Sequence, residues 1–301
     1  MTPVTPRWVD TPSGSPIRQI ALPVASHVQG HWYASGTAVA IAPYLAMTAA
    51  HVVADHYERS ERKALVGAPS DSFHLYLLQT TDNGAGIVIW EGTQLWLSSI
   101  TDIAFIGLRH FASNVAVLPA TFIRLDLLPP PIGSRVVAFG YHSSLISLRD
   151  PSNPLDIHWH DEGATSVGEV VEIHPRQRDA ARLNFPCFRT NARFDAGMSG
   201  GVVTNDLGRA CGVICSSLPA GEPGQDDVSY AATLYAAMGT RINLSPDGAI
   251  GGPVFPVVEL ARQHRLHALH HEFLTVTVDQ DNDRLETVWS GPSFCPCART
   301  A

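Results

Sequence analysis

A cluster of glycines around one serine constrains this chain more than any other stretch. Residues 194–201 read Phe-Asp-Ala-Gly-Met-Ser-Gly-Gly, with three glycines within five positions. Glycine permits backbone dihedrals that other residues avoid, so the chain can turn tightly here with its amides pointing inward. The hydroxyl of Ser199 has little side-chain crowding on either side. One interpretation is an ordinary turn between strands, because serine and glycine are common turn residues.

A second interpretation makes Ser199 a nucleophile. The backbone amides of Gly197 and Ser199 would then form an oxyanion hole, which holds the oxygen of a tetrahedral intermediate. A serine hydroxyl is a weak nucleophile near neutral pH and needs a neighbouring base to take its proton. This interpretation therefore requires a histidine and an acid elsewhere in the chain.

A candidate base and a candidate acid both lie at the ends of apolar, strand-like runs. His51 closes the run 36–50, and Asp102 opens the run 103–108. A single histidine or aspartate at a strand end is more often structural or solvated. Together with Ser199, however, they give the order His, Asp, Ser, in which a carboxylate orients the imidazole and the imidazole activates the serine. We therefore predict a catalytic triad of His51, Asp102 and Ser199.

These three motifs, in this order, resemble those of the chymotrypsin-like (trypsin-fold) serine proteases. The resemblance covers roughly residues 30–236. It implies a mostly β protein with two antiparallel, six-stranded-type β-barrels and the active site in the cleft between them. His51 and Asp102 would come from the first barrel and Ser199 from the second.

Two further segments resemble a subgroup of that family. Residues 190–201 and 133–140 are similar to the corresponding parts of the high-temperature-requirement (Deg) proteases, although no peptide-binding (PDZ) domain is recognisable after the barrels. Digestive relatives differ because they carry an acid just before the serine, which pairs with a newly cut N-terminus. Met198 occupies that position here. We therefore do not expect activation by N-terminal cleavage.

Length and composition predict a folded protein of two packed subdomains. The chain has 301 residues, 45% of them hydrophobic and only 16% charged, and this length exceeds the usual size of one compact core. Short strand-like runs with turn signals between them indicate β-barrels, and three consecutive prolines mark a linker. We predict a flexible or surface-bound leader (1–16), a first β-barrel (17–128), a linker (129–133), a second β-barrel (134–245) and a C-terminal extension (246–301), with a helix over 256–273 and a strand over 273–279.

The resemblance also assigns the pocket for the residue before the scissile bond. Phe194 against this pocket favours a small or medium apolar side chain, whereas an inward guanidinium of Arg193 would favour an acidic one. Because a buried, unpaired arginine is costly, we expect Arg193 to turn outward or meet an acid. The strand 212–217 is expected to pair with extended substrate. The predicted pocket walls are Ala192, Arg193, Phe194, Cys215, Ser216 and Ser217.

Charge and composition argue against several other classes of protein. Acids outnumber bases by 28 to 20, which gives a net charge of −8, and no basic cluster indicates nucleic-acid binding. The sequence contains no run of ~18 apolar residues, so no membrane span is expected. Residues 1–16 lack the pattern of a secretory signal. The five cysteines are an odd number that fits reduced thiols better than a disulfide framework. We predict a cytoplasmic protein.

Several weaker patterns leave alternatives open. The stretch 158–161 contains two histidines and an acid, His267 and His271 are four apart on the predicted helix, and Cys295 and Cys297 lie near the C-terminus. We interpret 142–163 as a surface loop and expect no metal or cofactor, because no compact set of ligands is apparent. Lys63 would be needed for a serine–lysine dyad, but it lies in a charged run typical of solvated surface.

The favoured function is a serine endopeptidase that hydrolyses peptide bonds of protein or peptide substrates through an acyl-enzyme. The alternative is a catalytically silent, protease-like binding or regulatory module. Labelling by a serine-directed probe discriminates between the two. The C-terminal extension is a candidate site for a partner or regulator.

Overall fold

The computed structural model describes residues 7–28, 31–59, 74–81, 86–116, 120–148, 157–218, 228–245, 248–279 and 284–292. Strands dominate the described part of the chain, and none of the helices within it has the length and apolar character that crossing a bilayer requires. The helices are α1 (Ala50–Arg59), α2 (Leu234–Ala237) and α3 (Val258–Arg262). The strands are β1 (Arg7–Thr11), β2 (Ala21–Val28), β3 (His31–Ala42), β4 (Leu45–Thr48), β5 (Leu75–Thr81), β6 (Gly86–Leu97), β7 (Ala104–Ser113), β8 (Leu125–Asp126), β9 (Arg135–Leu148), β10 (Ile157–His174), β11 (Cys187–Thr190), β12 (Val202–Thr204), β13 (Ala210–Leu218), β14 (Val228–Thr233), β15 (Arg241–Leu244), β16 (Ile250–Pro256), β17 (Ala268–Leu269), β18 (Leu274–Asp279) and β19 (Arg284–Trp289).

The first barrel closes in the order β2-β3-β4-β7-β6-β5, with β5 returning to β2. All neighbouring strands are antiparallel. The apolar side chains of its strands fill the interior, and five of them are fully buried: Leu22, Val39, Met47, Leu77 and Phe105. Removing such side chains from water is the main stabilising contribution to a barrel of this kind.

The second barrel has the same architecture and confirms the predicted fold class. Strands β12-β9-β10-β11-β14-β13 follow one another around the sheet, and β13 pairs with β12 to close it. A separate apolar cluster fills this barrel, with Val136, Val170, Phe188 and Val203 among its buried members. The short strands β8 and β17 extend the sheet beside β13.

Within the segment 142–163, the described residues 142–148 and 157–163 are not the surface loop that their polar sequence predicts. Strands β9 and β10 continue into it as an antiparallel hairpin, in which Ser147 lies opposite His158 and Ser143 lies opposite Glu162. Ladder pairing satisfies the backbone groups of polar residues as well as those of apolar ones, so polarity alone does not prevent a strand here. Asp161 within this hairpin is nearly buried and pairs with Arg18.

The leader forms a strand on the second barrel. Residues Arg7–Thr11 (β1) pair antiparallel with positions 163–167 of β10. Strand β11 pairs with β10 only from Val170 onward, so β1 occupies the preceding stretch of edge. Covering an exposed strand edge in this way removes a template for unwanted pairing.

The helix predicted over 256–273 is wrong beyond Arg262. Helix α3 has only five residues, and both His264 and His270 have positive φ angles, which an α-helix of L-residues does not accommodate. Ala268 pairs instead with Leu125 as part of a parallel β17–β8 ladder. The Nδ1 of His270 also lies 2.8 Å from Oδ1 of the buried Asp126. Long-range pairing therefore determines the structure of this segment.

After that segment the extension forms a hairpin. Strand β18 agrees with the strand expected over 273–279, and it pairs antiparallel with β19. His267 and His271 do not share a helix face, and the Nδ1 of His271 lies 2.7 Å from the carbonyl of Ala268.

Candidate active site

His51 and Asp102 meet at one rim of the first barrel. Strands β4 and β7 pair with Thr48 opposite Ala104, so residues just beyond their ends emerge side by side. The Nδ1 of His51 is 2.7 Å from Oδ2 of Asp102. The backbone amide of His51 also donates to Oδ1 of the same carboxylate, at 3.0 Å. Two attachments to one carboxylate fix the imidazole and leave its Nε2 on the far side of the ring.

The exposure of this pair suits a base and its orienting acid. The His51 side chain is 42% exposed, whereas that of Asp102 is only 16% exposed. Val52 and Val53, the next residues of α1, are fully buried against the barrel. This packing anchors the helix turn and holds the histidine at the surface of the cleft.

Ser199 lies on the glycine turn between β11 and β12, where the two barrels touch. Its carbonyl accepts a hydrogen bond from the amide of Thr37 in β3, at 2.9 Å. The next amide, of Gly200, donates to the carbonyl of Ile214 in β13, at 2.8 Å. The serine is therefore attached on one side to the first barrel and on the other to the second.

The same turn passes close to the end of β4. Gly200 has φ +81°, and a Cβ on it would lie 2.0 Å from the carbonyl oxygen of Thr37 and 3.0 Å from the amide of Ala49. Ala49 is the second residue before His51. Only glycine fits this position, and its close approach brings the serine turn to the segment that carries the histidine.

The backbone before Ser199 forms a tight turn. The amide of Met198 donates to the carbonyl of Asp195 at 3.1 Å, and Gly197, the third residue of this β-turn, has φ +88°. A positive φ at that position is characteristic of a type II turn. Within the described part of the chain, the amides of Gly197 and Ser199 donate to no protein acceptor. Both are therefore available to a ligand oxygen.

The residues assigned to the specificity pocket differ in how far they are exposed. Ala192 and Phe194 are buried in the apolar cluster of the second barrel. Arg193 is exposed instead, and its Nε and Nη2 donate to the two carboxylate oxygens of Asp195 at 2.7 and 3.0 Å. Cys215 is buried, and Ser216 and Ser217 are half-buried at the end of β13.

A cleft of roughly 560 Å³ opens beside His51 and Asp102. The loop 99–101 forms its wall on the first barrel, and Cys215 and Ser216 line it from the second. The segment 182–185 supplies another wall that the sequence interpretation did not identify.

An acid at the base of that segment orders the loop. The amides of Arg182, Leu183 and Ala181 donate to the carboxylate of Asp179. These bonds favour the ionised form and hold the pKa of Asp179 at about 2. The sequence signal for this wall was Asp179 itself, and single aspartates are common in surface loops.

The described cysteines are free thiols buried in the protein. Burial raises the pKa of Cys187 to about 12 and also raises the pKa values of Cys211 and Cys215. Such thiols are neutral at physiological pH and therefore poor nucleophiles.

The other candidate sites remain separate from the cleft. In the described ranges, no three histidine, cysteine, aspartate or glutamate side chains are grouped closely enough to hold a metal ion. His158 and His160 lie exposed on β10. Lys63, Cys295 and Cys297 fall outside the described residues.

Comparison with known proteins gives one family match. The family model described as the trypsin-like peptidase domain matches residues 36–213, more than half of the chain. No curated protein sequence matches significantly. Among solved structures, the chain is similar to Deg5, with 13% identity, a TM-score of 0.46, and coverage of 72% of this chain and 84% of that one. It is also similar to the active form of the Rv3671c protease from M. tuberculosis, with 14% identity, a TM-score of 0.43, and coverage of 74% and 79%.

Proposed function

Because this chain belongs to the trypsin-like peptidase domain family, we propose that it is a serine endopeptidase that works through an acyl-enzyme on Ser199. One observation carries the proposal. The glycine turn of Ser199 approaches the segment that leads to His51, His51 is bound to Asp102, and the amides of Gly197 and Ser199 have no protein acceptor among the described residues. An orienting acid, a base, a nucleophile and an oxyanion site are the parts that acyl transfer needs.

The proposed reaction follows from the roles of these groups. The Nε2 of His51 takes the proton from Ser199 as the hydroxyl oxygen attacks the scissile carbonyl carbon. The amides of Gly197 and Ser199 receive the negative oxygen, and Asp102 stabilises the imidazolium. Collapse breaks the peptide bond, and His51 returns the proton to the departing amine. Water then attacks the ester by the same sequence, which releases the acid and restores Ser199.

We propose that substrate binds as an extended strand along residues 215–217 of β13. An apolar side chain is favoured before the scissile bond in this proposal, since Cys215 lines the cleft and the Arg193 guanidinium is engaged by Asp195 at the surface. A peptide library tests this preference. Selection of Asp or Glu at that position, lost in Arg193→Ala, would contradict it.

A cytoplasmic location is also part of the proposal, and the three free, buried thiols support it because reducing compartments keep thiols in this state. Fractionation of cells that produce the protein tests the location. A contact of the C-terminal extension with a partner or regulator stays a prediction.

The decisive experiment compares wild type, Ser199→Ala and Ser113→Ala, the last being an exposed serine outside the cleft. We expect a fluorophosphonate probe to label wild type and Ser113→Ala but not Ser199→Ala. In a separate experiment without the probe, new protein termini should appear in a proteome treated with wild type or Ser113→Ala, but not in one treated with Ser199→Ala. Loss of one triad member commonly lowers turnover by about 10⁴- to 10⁶-fold. An unlabelled, inactive wild type would favour the silent binding module.

A further inference from the structure

We propose that Trp8 and Arg193 are positioning residues for the oxyanion hole. Through them, the leader strand β1 holds the turn Asp195–Met198 in the form that presents the Gly197 amide to the substrate. This inference rests on the proposed endopeptidase function and assigns it a further pair of residues outside the triad.

The leader is firmly attached to the second barrel. Five residues of β1 pair in register with β10. At the end of the strand, the hydroxyls of Thr11 and Thr165 lie 2.6 Å apart, and Nη2 of the buried Arg18 donates to the carbonyl of Thr11 at 2.8 Å. This pairing gives the side chains of β1 defined positions, with Trp8 and Asp10 on one face and Arg7 on the other.

Trp8 contacts the segment before the nucleophile. The Cζ atom of Arg193 lies 5.1 Å from the centroid of the indole ring, which is within the range of a cation–π interaction. The indole Nε1 is buried and has no hydrogen-bond partner in the described part of the chain, and the residue as a whole is half-buried. The same guanidinium binds both carboxylate oxygens of Asp195. The chain of contacts therefore runs from Trp8 to Arg193 and on to Asp195.

Asp195 is the first residue of the oxyanion turn. Arg193 and Asp195 flank the buried Phe194, so their side chains hold this short segment from outside while Phe194 anchors it inside. A type I turn over the same four residues would flip the peptide between Ala196 and Gly197 and present a carbonyl in place of the Gly197 amide. Restraining Asp195 favours the observed form, in which Gly197 has φ +88°.

The leader also reaches this turn from a second side. The ring of Trp8 lies 5.4 Å from that of His142, and Oδ1 of Asp10 lies 3.7 Å from Nε2 of the same histidine. A Cβ on Gly197 would come within 3.1 Å of the His142 carbonyl. Residues of β1 thus contact both Arg193 and His142, which flank the oxyanion turn. These contacts exist only when β1 is docked.

The test uses full-length Trp8→Ala, Trp8→Phe and Arg193→Ala, with Arg7→Ala as the matched control on the opposite face of β1. The rate of fluorophosphonate labelling and the kcat and KM for a p-nitrophenyl ester are measured. We expect Trp8→Ala and Arg193→Ala to lower the labelling rate and kcat by about 10-fold with little change in KM, short of the ~10²- to 10³-fold loss caused by removing an oxyanion donor. Trp8→Phe should restore most of the rate because a phenyl face also accepts a guanidinium.

The double variant Trp8→Ala/Arg193→Ala should be no slower than Trp8→Ala alone, since Arg193 acts in series with the indole, which also contacts His142. Additive losses, wild-type labelling by Trp8→Ala, or an equal loss in Arg7→Ala would overturn the proposal. If Trp8→Ala unfolds, Trp8→Phe and the exposed Arg193→Ala carry the test. If wild type itself does not label, the endopeptidase function fails. The coupling is then measured by hydrogen exchange over residues 195–199, which Trp8→Ala should accelerate and Arg7→Ala should not; no acceleration overturns it.

Discussion

At the scale of single residues, the serine turn depends on a glycine with no room for a side chain. A Cβ on Gly200 would lie 2.0 Å from the Thr37 carbonyl oxygen and 2.2 Å from Oγ1 of Thr48. Gly208 has a similar φ of +68° but has no atom within 4 Å of the corresponding position. Comparing alanine substitutions at these two glycines therefore separates the free-energy cost of the backbone conformation from that of a steric clash.

We expect Gly200→Ala to destabilise the protein more than Gly208→Ala and to abolish labelling of Ser199. The conformational cost alone is about 1 kcal/mol, which Gly208→Ala should show in urea denaturation without loss of activity. Gly200→Ala adds displacement of the strand that bears Thr37. Equal stability and equal labelling of the two variants would contradict the proposed fit.

A second prediction at this scale concerns Asp102, which holds both the ring and the amide of His51. Asp102→Asn should keep the fold and lower kcat by about 10⁴-fold, because an amide group can stabilise the wrong tautomer of the histidine. Circular dichroism checks the fold and ester hydrolysis checks the rate. Retention of full activity would exclude Asp102 as the orienting acid.

At the scale of elements, the loop that carries the cleft wall 182–185 begins with a carboxylate that accepts three backbone amides. The pKa of Asp179 falls from its ordinary value of 3.8 to about 2. A lowered carboxyl pKa stabilises the folded state at pH values above the ordinary pKa, and this contribution is lost as the pH falls toward the folded value. The loop should therefore be most firmly held at neutral pH.

We expect Asp179→Ala to lower the urea midpoint at pH 7 and to raise KM for peptide substrates while kcat changes little. The difference in midpoint between wild type and variant should be complete at pH 7 and should shrink as the pH is lowered from 4 toward 2. Asp206→Ala, at an exposed turn elsewhere, serves as the control. A midpoint difference that is independent of pH would show that the carboxylate is not the source.

The elements also show which parts of the fold can be predicted from the sequence. The strands of the two barrels could be predicted because local apolar runs and turn signals encode them, and the site motifs could be read directly from the residue order. Residues 263–269 of the extension could not be predicted, since Ala268 takes a strand conformation by pairing with Leu125, far away in sequence. The contact of Trp8 with Arg193 is equally non-local. In the β9–β10 hairpin, the side chains are polar and gave no strand signal, although backbone pairing stabilises both strands.

At the scale of the whole molecule, the thiols of the described cysteines lie in the interior. Cys187, Cys211 and Cys215 are buried and unbridged. We expect hydrolysis to be unchanged when reductant and chelator are present together. A thiol reagent should modify these three cysteines slowly in the native protein and rapidly after denaturation, as peptide mapping would show. Inactivation by chelator, reversed by zinc, would contradict this prediction and direct attention to the histidines.

The attachment of Ser199 to both barrels has a consequence for the order in which a ribosome makes this protein. His51 and Asp102 leave the exit tunnel early, but the Thr37 amide finds the Ser199 carbonyl only after the second barrel has been translated. Strand β1 likewise waits for β10. A half-made chain therefore holds the candidate base without the candidate nucleophile, and the site can be assembled only after the second barrel has been made.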